Sequence, residues 1–205
     1  GVSALMPENT LPAFAAALAL GAEEIELDVR LTKDNKMVIC HDPVLERISD
    51  GSGNVSDYTL EELRKLNIGV KEGWQVGFCT PEEVYAQFAN KITFNIHLKQ
   101  HGEDGFIIRE LLKLTEQYNA FDSVYFAGSP SELEWMERVA PNIRRVAIQL
   151  PGDTIEICDM ARKYHCSGVQ FWLGMFDETH INILHNEGIW CNLFYADNAE
   201  DYKKY

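Results

Sequence analysis

Short apolar runs alternate with longer helical patterns along this chain. Leu11, Phe14, Ala15 and Leu18 fall at helical spacing. Asn9 or Thr10 can cap that helix, Pro12 suits its first turn, and Gly21 ends it. The period then drops to two. Ile25, Leu27 and Val29 alternate with Glu26 and Asp28, which predicts a strand whose polar face carries two carboxylates. Asp34-Asn35 reads as a two-residue turn between strand-like segments. That turn pairs residues whose numbers sum to 69 and sets Asp28 opposite His41, a register sensitive to a one-residue slip.

After a Gly/Ser/Asp-rich loop at 50–57, Thr59 to Leu63 reads as a short capped helix. Further strands are predicted at 92–99, 124–128, 146–150, 169–172 and 189–195, with helices at 104–118, 130–139, 153–164 and 178–186 between them. Such alternation implies a parallel sheet with right-handed crossovers. Barrel-type strands start near residues 24, 92, 124, 146, 168 and 189. A closed eight-stranded α/β barrel needs two more strands. An open doubly wound sheet needs none, but no glycine-rich phosphate loop follows the early strand.

Composition narrows the partners. The 205 residues suit one domain, and 46% hydrophobic content suits a packed core. No apolar run approaches the roughly 20 residues of a membrane helix, and no signal-peptide pattern is visible. Eighteen Lys and Arg against 32 Asp and Glu give a net charge of −14, which argues against nucleic acid as a partner. An anionic small molecule would need a metal or local Lys/Arg to reverse that field. The five cysteines are odd in number and form no CxxC pair. They read as buried free thiols in a reducing compartment, which points to the cytoplasm.

Glu26 and Asp28, two apart on one strand face, suit a hard divalent cation. On their own they suit an exposed strand face as well. His41 follows an apolar strand and precedes Asp42-Pro43. It fits a structural histidine or, at a strand end beside a metal pair, a general acid or base.

Four stretches fall in order over the first 85 or so residues: "PENTLPAF" (7–14), "GAEEIELDVRLTKDNKMVICHDPVLER" (21–47), "GSGNVSDYTLEELRKLNIG" (51–69) and "TPEEV" (80–84). In them the chain resembles the glycerophosphodiester phosphodiesterase family. The resemblance implies a TIM-type (β/α)8 barrel formed as one domain over 1–205, with its first and last strands outside this sequence. It implies metal-assisted hydrolysis of glycerophosphodiesters to glycerol 3-phosphate and an alcohol. Glu26 and Asp28 would be metal ligands and His41 one of two catalytic histidines, with Glu8 near the substrate. Magnesium or calcium is the expected ion, with manganese as an alternative.

Three departures from the family pattern stand out. Gly1 falls where the family's His-Arg-Gly ends, which would place the other catalytic histidine and an arginine upstream. The segment 199–205 reads as the helix before a closing strand. The family's Glu-x-Lys reads "NIHLK", so His97 stands at the third ligand position while Lys99 keeps the place of a phosphate-facing lysine. An imidazole adds no negative charge and suits manganese or zinc better than magnesium. Two rival functions follow: a non-catalytic or weakened phosphodiester-binding member, and a sphingomyelinase-D-like phospholipase on the same fold.

Overall fold

A computed structural model of the chain describes residues 3–70, 73–153, 155–172, 174–195, 200 and 203. The expectations for Gly1, and for 199–205 apart from residues 200 and 203, lie outside the described residues. The chain divides into two compact units, residues 1–126 and 127–205.

The first unit opens with α1 (Leu11–Ala19). Thr10 is its N-cap, its side chain accepting from the Ala13 amide, and proline occupies the first turn. Past the C-terminus Gly21 takes φ 82°. The Ala22 amide donates to the Ala17 carbonyl at 3.0 Å and the Gly21 amide to the Leu18 carbonyl at 3.1 Å. Both bonds close a Schellman turn that feeds the chain into β1 (Glu24–Leu31).

β1 has two partners along its length. From Glu24 to Val29 it lies parallel to β3 (Thr93–Leu98), and from Val29 to Leu31 it lies antiparallel to β2 (Met37–Ile39). The strand thus outgrows the parallel sheet, and the hairpin folds its overhang back.

The hairpin differs from the sequence expectation by one residue. Val29 pairs with Ile39 and Leu31 with Met37, so paired numbers sum to 68. The loop holds three residues, Lys33 to Asn35, closed by the Thr32 amide on the Lys36 carbonyl at 2.9 Å. Asn35 at φ 55° supplies the left-handed residue that such three-residue loops use. The Thr32 hydroxyl donates to Asp34 at 2.6 Å and accepts from the Lys36 amide at 3.0 Å, which fixes the longer loop. Consequently Cys40, not His41, stands across from Asp28, its amide donating to the Asp28 carbonyl at 2.8 Å.

The segment after β2 packs with Val38 of that strand into a small core of Val38, Cys40, Leu45, Val55, Leu63, Ile68 and Phe78. It includes α2 (Leu60–Leu63), capped by the Thr59–Glu62 box. The helix α3 (Pro81–Phe88) follows, which the apolar spacing alone does not announce. Its signal is the second capping box, Thr80 with Glu83, with proline in the first turn. After β3 comes α4 (Phe106–Gln117), then β4 (Val124–Gly128), whose residues straddle the two units.

In the second unit β5 (Arg144–Ile148), β6 (Gly168–Trp172) and β7 (Trp190–Phe194) run parallel in that order. The helices α5 (Pro130–Val139), α6 (Ile157–Lys163) and α7 (Glu178–Asn186) alternate with them. α6 starts four residues later than expected because Asp153 caps a turn, its carboxylate accepting from the Leu150 amide. All five cysteines are free thiols; four are buried and Cys191 is half-buried. Among the described residues, no helix is long and apolar enough to cross a membrane.

The hairpin loop gives a direct test. Replacing Asn35 by alanine forces a Cβ without a compensating side chain into the left-handed region and is expected to cost about 1 kcal/mol, whereas glycine should cost a few tenths at most. Urea denaturation of the two variants checks the ordering, and equal stability of both would refute the loop conformation.

Candidate active site

β1 and β3 present one continuous polar face. In the parallel register Glu26 lies beside Asn95 and Asp28 beside His97. Because both strands alternate with period two, Glu26, Asp28 and His97 point the same way. Glu26, Asp28 and His97 each offer a ligand atom, and those atoms lie within 4.8 Å of one another. His97 Nδ1 is 3.3 Å from Glu26 Oε1 and 3.9 Å from Asp28 Oδ1.

Asp28 is the centre of the group. Its side chain is only 1% exposed, and Lys99 Nζ stands 2.9 Å from Oδ1. The other oxygen, Oδ2, accepts from Asn9 Nδ2 at 2.9 Å. Burial alone would raise the Asp28 pKa, but the charges of Lys99, His97 and His41 outweigh it and hold the carboxyl below its usual value. Glu26 goes the other way. Protein around it strips away water and the Asp28 carboxylate repels its charge, so its carboxyl sits well above the usual range. Yet 39% of the Glu26 side chain stays open to solvent, so a ligand from outside can reach it.

These features fit a cation. Two carboxylates oppose each other's ionisation, a situation that a divalent ion relieves. Asp28 Oδ1 is buried and, among the described residues, meets the charge of Lys99 without a hydrogen bond of good geometry. An oxygen so placed can serve a metal, and the O, O, N donor set suits a first-row or alkaline-earth divalent ion.

His41 lies on the hairpin's return, near enough for its charge to act on the Asp28 carboxyl, despite the shifted register. β2 ends at Ile39, and the chain turns at His41. The Arg30 guanidinium fixes that turn, donating to the His41 carbonyl from Nε at 2.9 Å and Nη2 at 2.6 Å. The imidazole is held separately. His41 Nδ1 lies 2.7 Å from Asp42 Oδ1, and the ring is about half exposed.

Asp42 and Arg47 have no place in the sequence expectation. Arg47 donates from Nε to Asp42 Oδ2 and from Nη1 and Nη2 to both oxygens of Glu8, at 2.7 Å each. Glu8, expected near the substrate, is therefore engaged by Arg47. A continuous chain runs Glu8–Arg47–Asp42–His41. Its sequence signal is the run of "HDPVLER", where Asp42 and Arg47 flank a tight turn after the candidate histidine. Arg47 also borders a cavity of about 110 Å³ lined by Pro7, Glu8, Ile48, Ile68 and Val70 among others.

The protein is thus of the α/β class, with a cluster of two carboxylates and an imidazole on the adjacent parallel strands β1 and β3 whose donor atoms could hold a divalent ion. The chain belongs to the glycerophosphoryl diester phosphodiesterase family, which it matches over residues 1–139. A glycerophosphodiester phosphodiesterase of Caldanaerobacter subterraneus is 35% identical over 154 residues, covering 70% of this chain and 62% of that relative. The chain thus spans somewhat under two thirds of that protein's length. Among solved structures, an Oleispira antarctica phosphodiesterase in complex with the product sn-glycerol-3-phosphate superposes with a TM-score of 0.87 at 23% identity, covering all of this chain and 85% of that one. A glycerophosphodiester phosphodiesterase of Thermotoga maritima gives 0.81 at 24% identity, over 100% and 86% of the two chains. The fold is the TIM-type α/β barrel class expected from the sequence.

The Arg47 contacts hold the Asp42 carboxyl down at about 2, with the His41 hydrogen bond adding to the effect. A carboxyl lowered in the folded state stabilises the fold above its unfolded value of about 4, and that contribution is lost as pH falls through about 2. With Arg47 half exposed, the energy is small. Carboxyl carbon shifts titrated by NMR should place Asp42 near 2, and Arg47→Ala should return it toward the ordinary aspartate range. An unmoved Asp42 would mean that Arg47 does not govern it.

Proposed function

We propose that this chain carries out metal-assisted hydrolysis of glycerophosphodiesters, releasing glycerol 3-phosphate and an alcohol. The observation that carries the reading is the juxtaposition of Glu26, Asp28 and His97, within 4.8 Å of one another, with Lys99 beside them. Membership of the family supports it, as does the glycerol-3-phosphate product named with the Oleispira structure.

In this reading Glu26, Asp28 and His97 hold a divalent ion, magnesium or calcium by the two carboxylates, or manganese by virtue of the imidazole. When bound, the ion would supply positive charge to the phosphoryl oxygens and polarise the attacking water. The chain's own groups do the rest. Lys99, 2.9 Å from Asp28, adds a second positive charge for a phosphate against the net −14 of the molecule. His41 is the proton-transfer residue. With Nδ1 donating to Asp42, the neutral ring carries its proton there and leaves Nε2 as the base. Nε2 takes a proton from the attacking water as its oxygen bonds to phosphorus and the bond from phosphorus to the alcohol oxygen breaks, and a second acid protonates the departing alkoxide. Glu8 acts through Arg47 rather than on the substrate.

A second reading, a weakened or non-catalytic phosphodiester binder, rests on His97. An imidazole in the third ligand place leaves the ion with one negative charge fewer than a carboxylate would.

Purified full-length protein given glycerophosphocholine and Mg²⁺, Ca²⁺ or Mn²⁺ in turn should release glycerol 3-phosphate. Lysolipid and sphingomyelin in parallel assays test the sphingomyelinase-D-like alternative. Absence of product with every ion would overturn the hydrolase reading. His41→Ala should lower kcat by about 10²–10⁴-fold. A His97→Glu variant that gains activity sharply would favour the weakened site.

A further inference from the structure

We infer that Asn9 is a positioning residue that sets the rotation of the Asp28 carboxylate and so prepares the metal site. The inference rests on the proposed cation site at Glu26, Asp28 and His97.

A carboxylate on a strand turns easily about its last side-chain bond, because such torsions have broad wells. A ligand oxygen is useful only if that rotation is fixed. Asp28 is gripped at two points by one side chain. Asn9 Nδ2 donates to Asp28 Oδ2 at 2.9 Å, and Asn9 Oδ1 accepts from the Asp28 backbone amide at 3.3 Å. The amide group thus reads both the backbone and the side chain of the same residue. It occupies Oδ2 and leaves Oδ1 toward Lys99 and His97.

Asn9 is itself held rigidly. It is 9% exposed and takes φ 56°, a conformation that asparagine and glycine adopt more readily than other residues. Thr10, fully buried, donates its hydroxyl to the Pro7 carbonyl at 2.7 Å and pins the turn from one side. Cys79 Sγ, 3.5 Å from the Asn9 carbonyl, braces the other. A donor was needed that adds no positive charge. An amide satisfies Oδ2 while leaving the whole negative charge of Asp28 for a cation; a lysine or arginine there would compete with the ion. No other side chain of that size combines a donor, an acceptor and tolerance of the left-handed backbone.

Residues that hold a metal ligand in place typically contribute 10- to 100-fold to metal affinity. The test is Mn²⁺ binding by isothermal titration calorimetry to the wild-type protein, Glu26→Gln and Asn9→Gly, with circular dichroism confirming the fold of each. Glycine keeps the left-handed turn and removes the side chain with both of its contacts to Asp28. Wild type should bind, Glu26→Gln should lose binding, and Asn9→Gly should bind 10- to 100-fold more weakly. If Asn9→Gly does not fold, Asn9→Asp takes its place: it keeps the turn, replaces the donor to Oδ2 with a repelling oxygen, and should change the affinity tenfold or more. No Mn²⁺ binding by wild type, or unchanged binding by Glu26→Gln, sinks the metal site itself. A wild type that binds, with a folded Asn9 variant of equal affinity, overturns the role of Asn9 alone. A purely structural role would lower the melting temperature of the metal-free variant and leave its affinity unchanged.

Discussion

A buried carboxylate is the constraint around which the first unit is arranged. Asp28 lies on β1 with 1% of its side chain exposed, and an uncompensated charge there would cost several kcal/mol. Its compensation comes from three elements. Asn9, at the turn before α1, takes one oxygen; Lys99, just past β3, faces the other; and His97 on β3 adds its field. Each partner is brought in by a local feature: the left-handed turn at Asn9, the parallel register of β1 with β3, and the Schellman turn that sends α1 into β1. The arrangement that makes Asp28 tolerable is also the one that leaves Oδ1 facing the side chains of Lys99 and His97.

A second framework holds His41. The overhanging end of β1 needs a partner once β3 stops, and the hairpin supplies it. The return strand is only three residues long, so the chain is free to turn at His41 and to be fixed by Arg30. Beyond it the small core around Leu45, Val55 and Ile68 supports the loop that carries Arg47. That arginine ties Glu8, from one end of the unit, to Asp42, beside the histidine. Both carboxylates are thereby paired with the one guanidinium.

Much of this was legible in the residues. The switch from helical to two-residue period at Ile25 located β1 and its acidic face, and alternating runs located the later strands to within two residues. Capping chemistry carried information that apolar spacing lacked, as at Thr80 and Glu83 before α3. The hairpin register was not legible, because the choice between a two- and a three-residue loop rests on the Thr32 hydroxyl closing on Asp34 and Lys36, a side-chain effect outside binary patterning. The pairing of Glu8 with Arg47 spans 39 residues and depends on where two loops meet, which a linear pattern does not encode. The same holds for Asn9, one of two cap candidates with Thr10: Thr10 is the cap, and Asn9 clamps Asp28.

Anomalous diffraction from crystals grown with Mn²⁺ tests whether the proposed ligands Glu26, Asp28 and His97 share one cation. One strong peak is expected about 2.0–2.6 Å from a carboxylate oxygen of Glu26, a carboxylate oxygen of Asp28 and a ring nitrogen of His97. A peak bound elsewhere on the molecule, or none at this cluster at millimolar Mn²⁺, would contradict it.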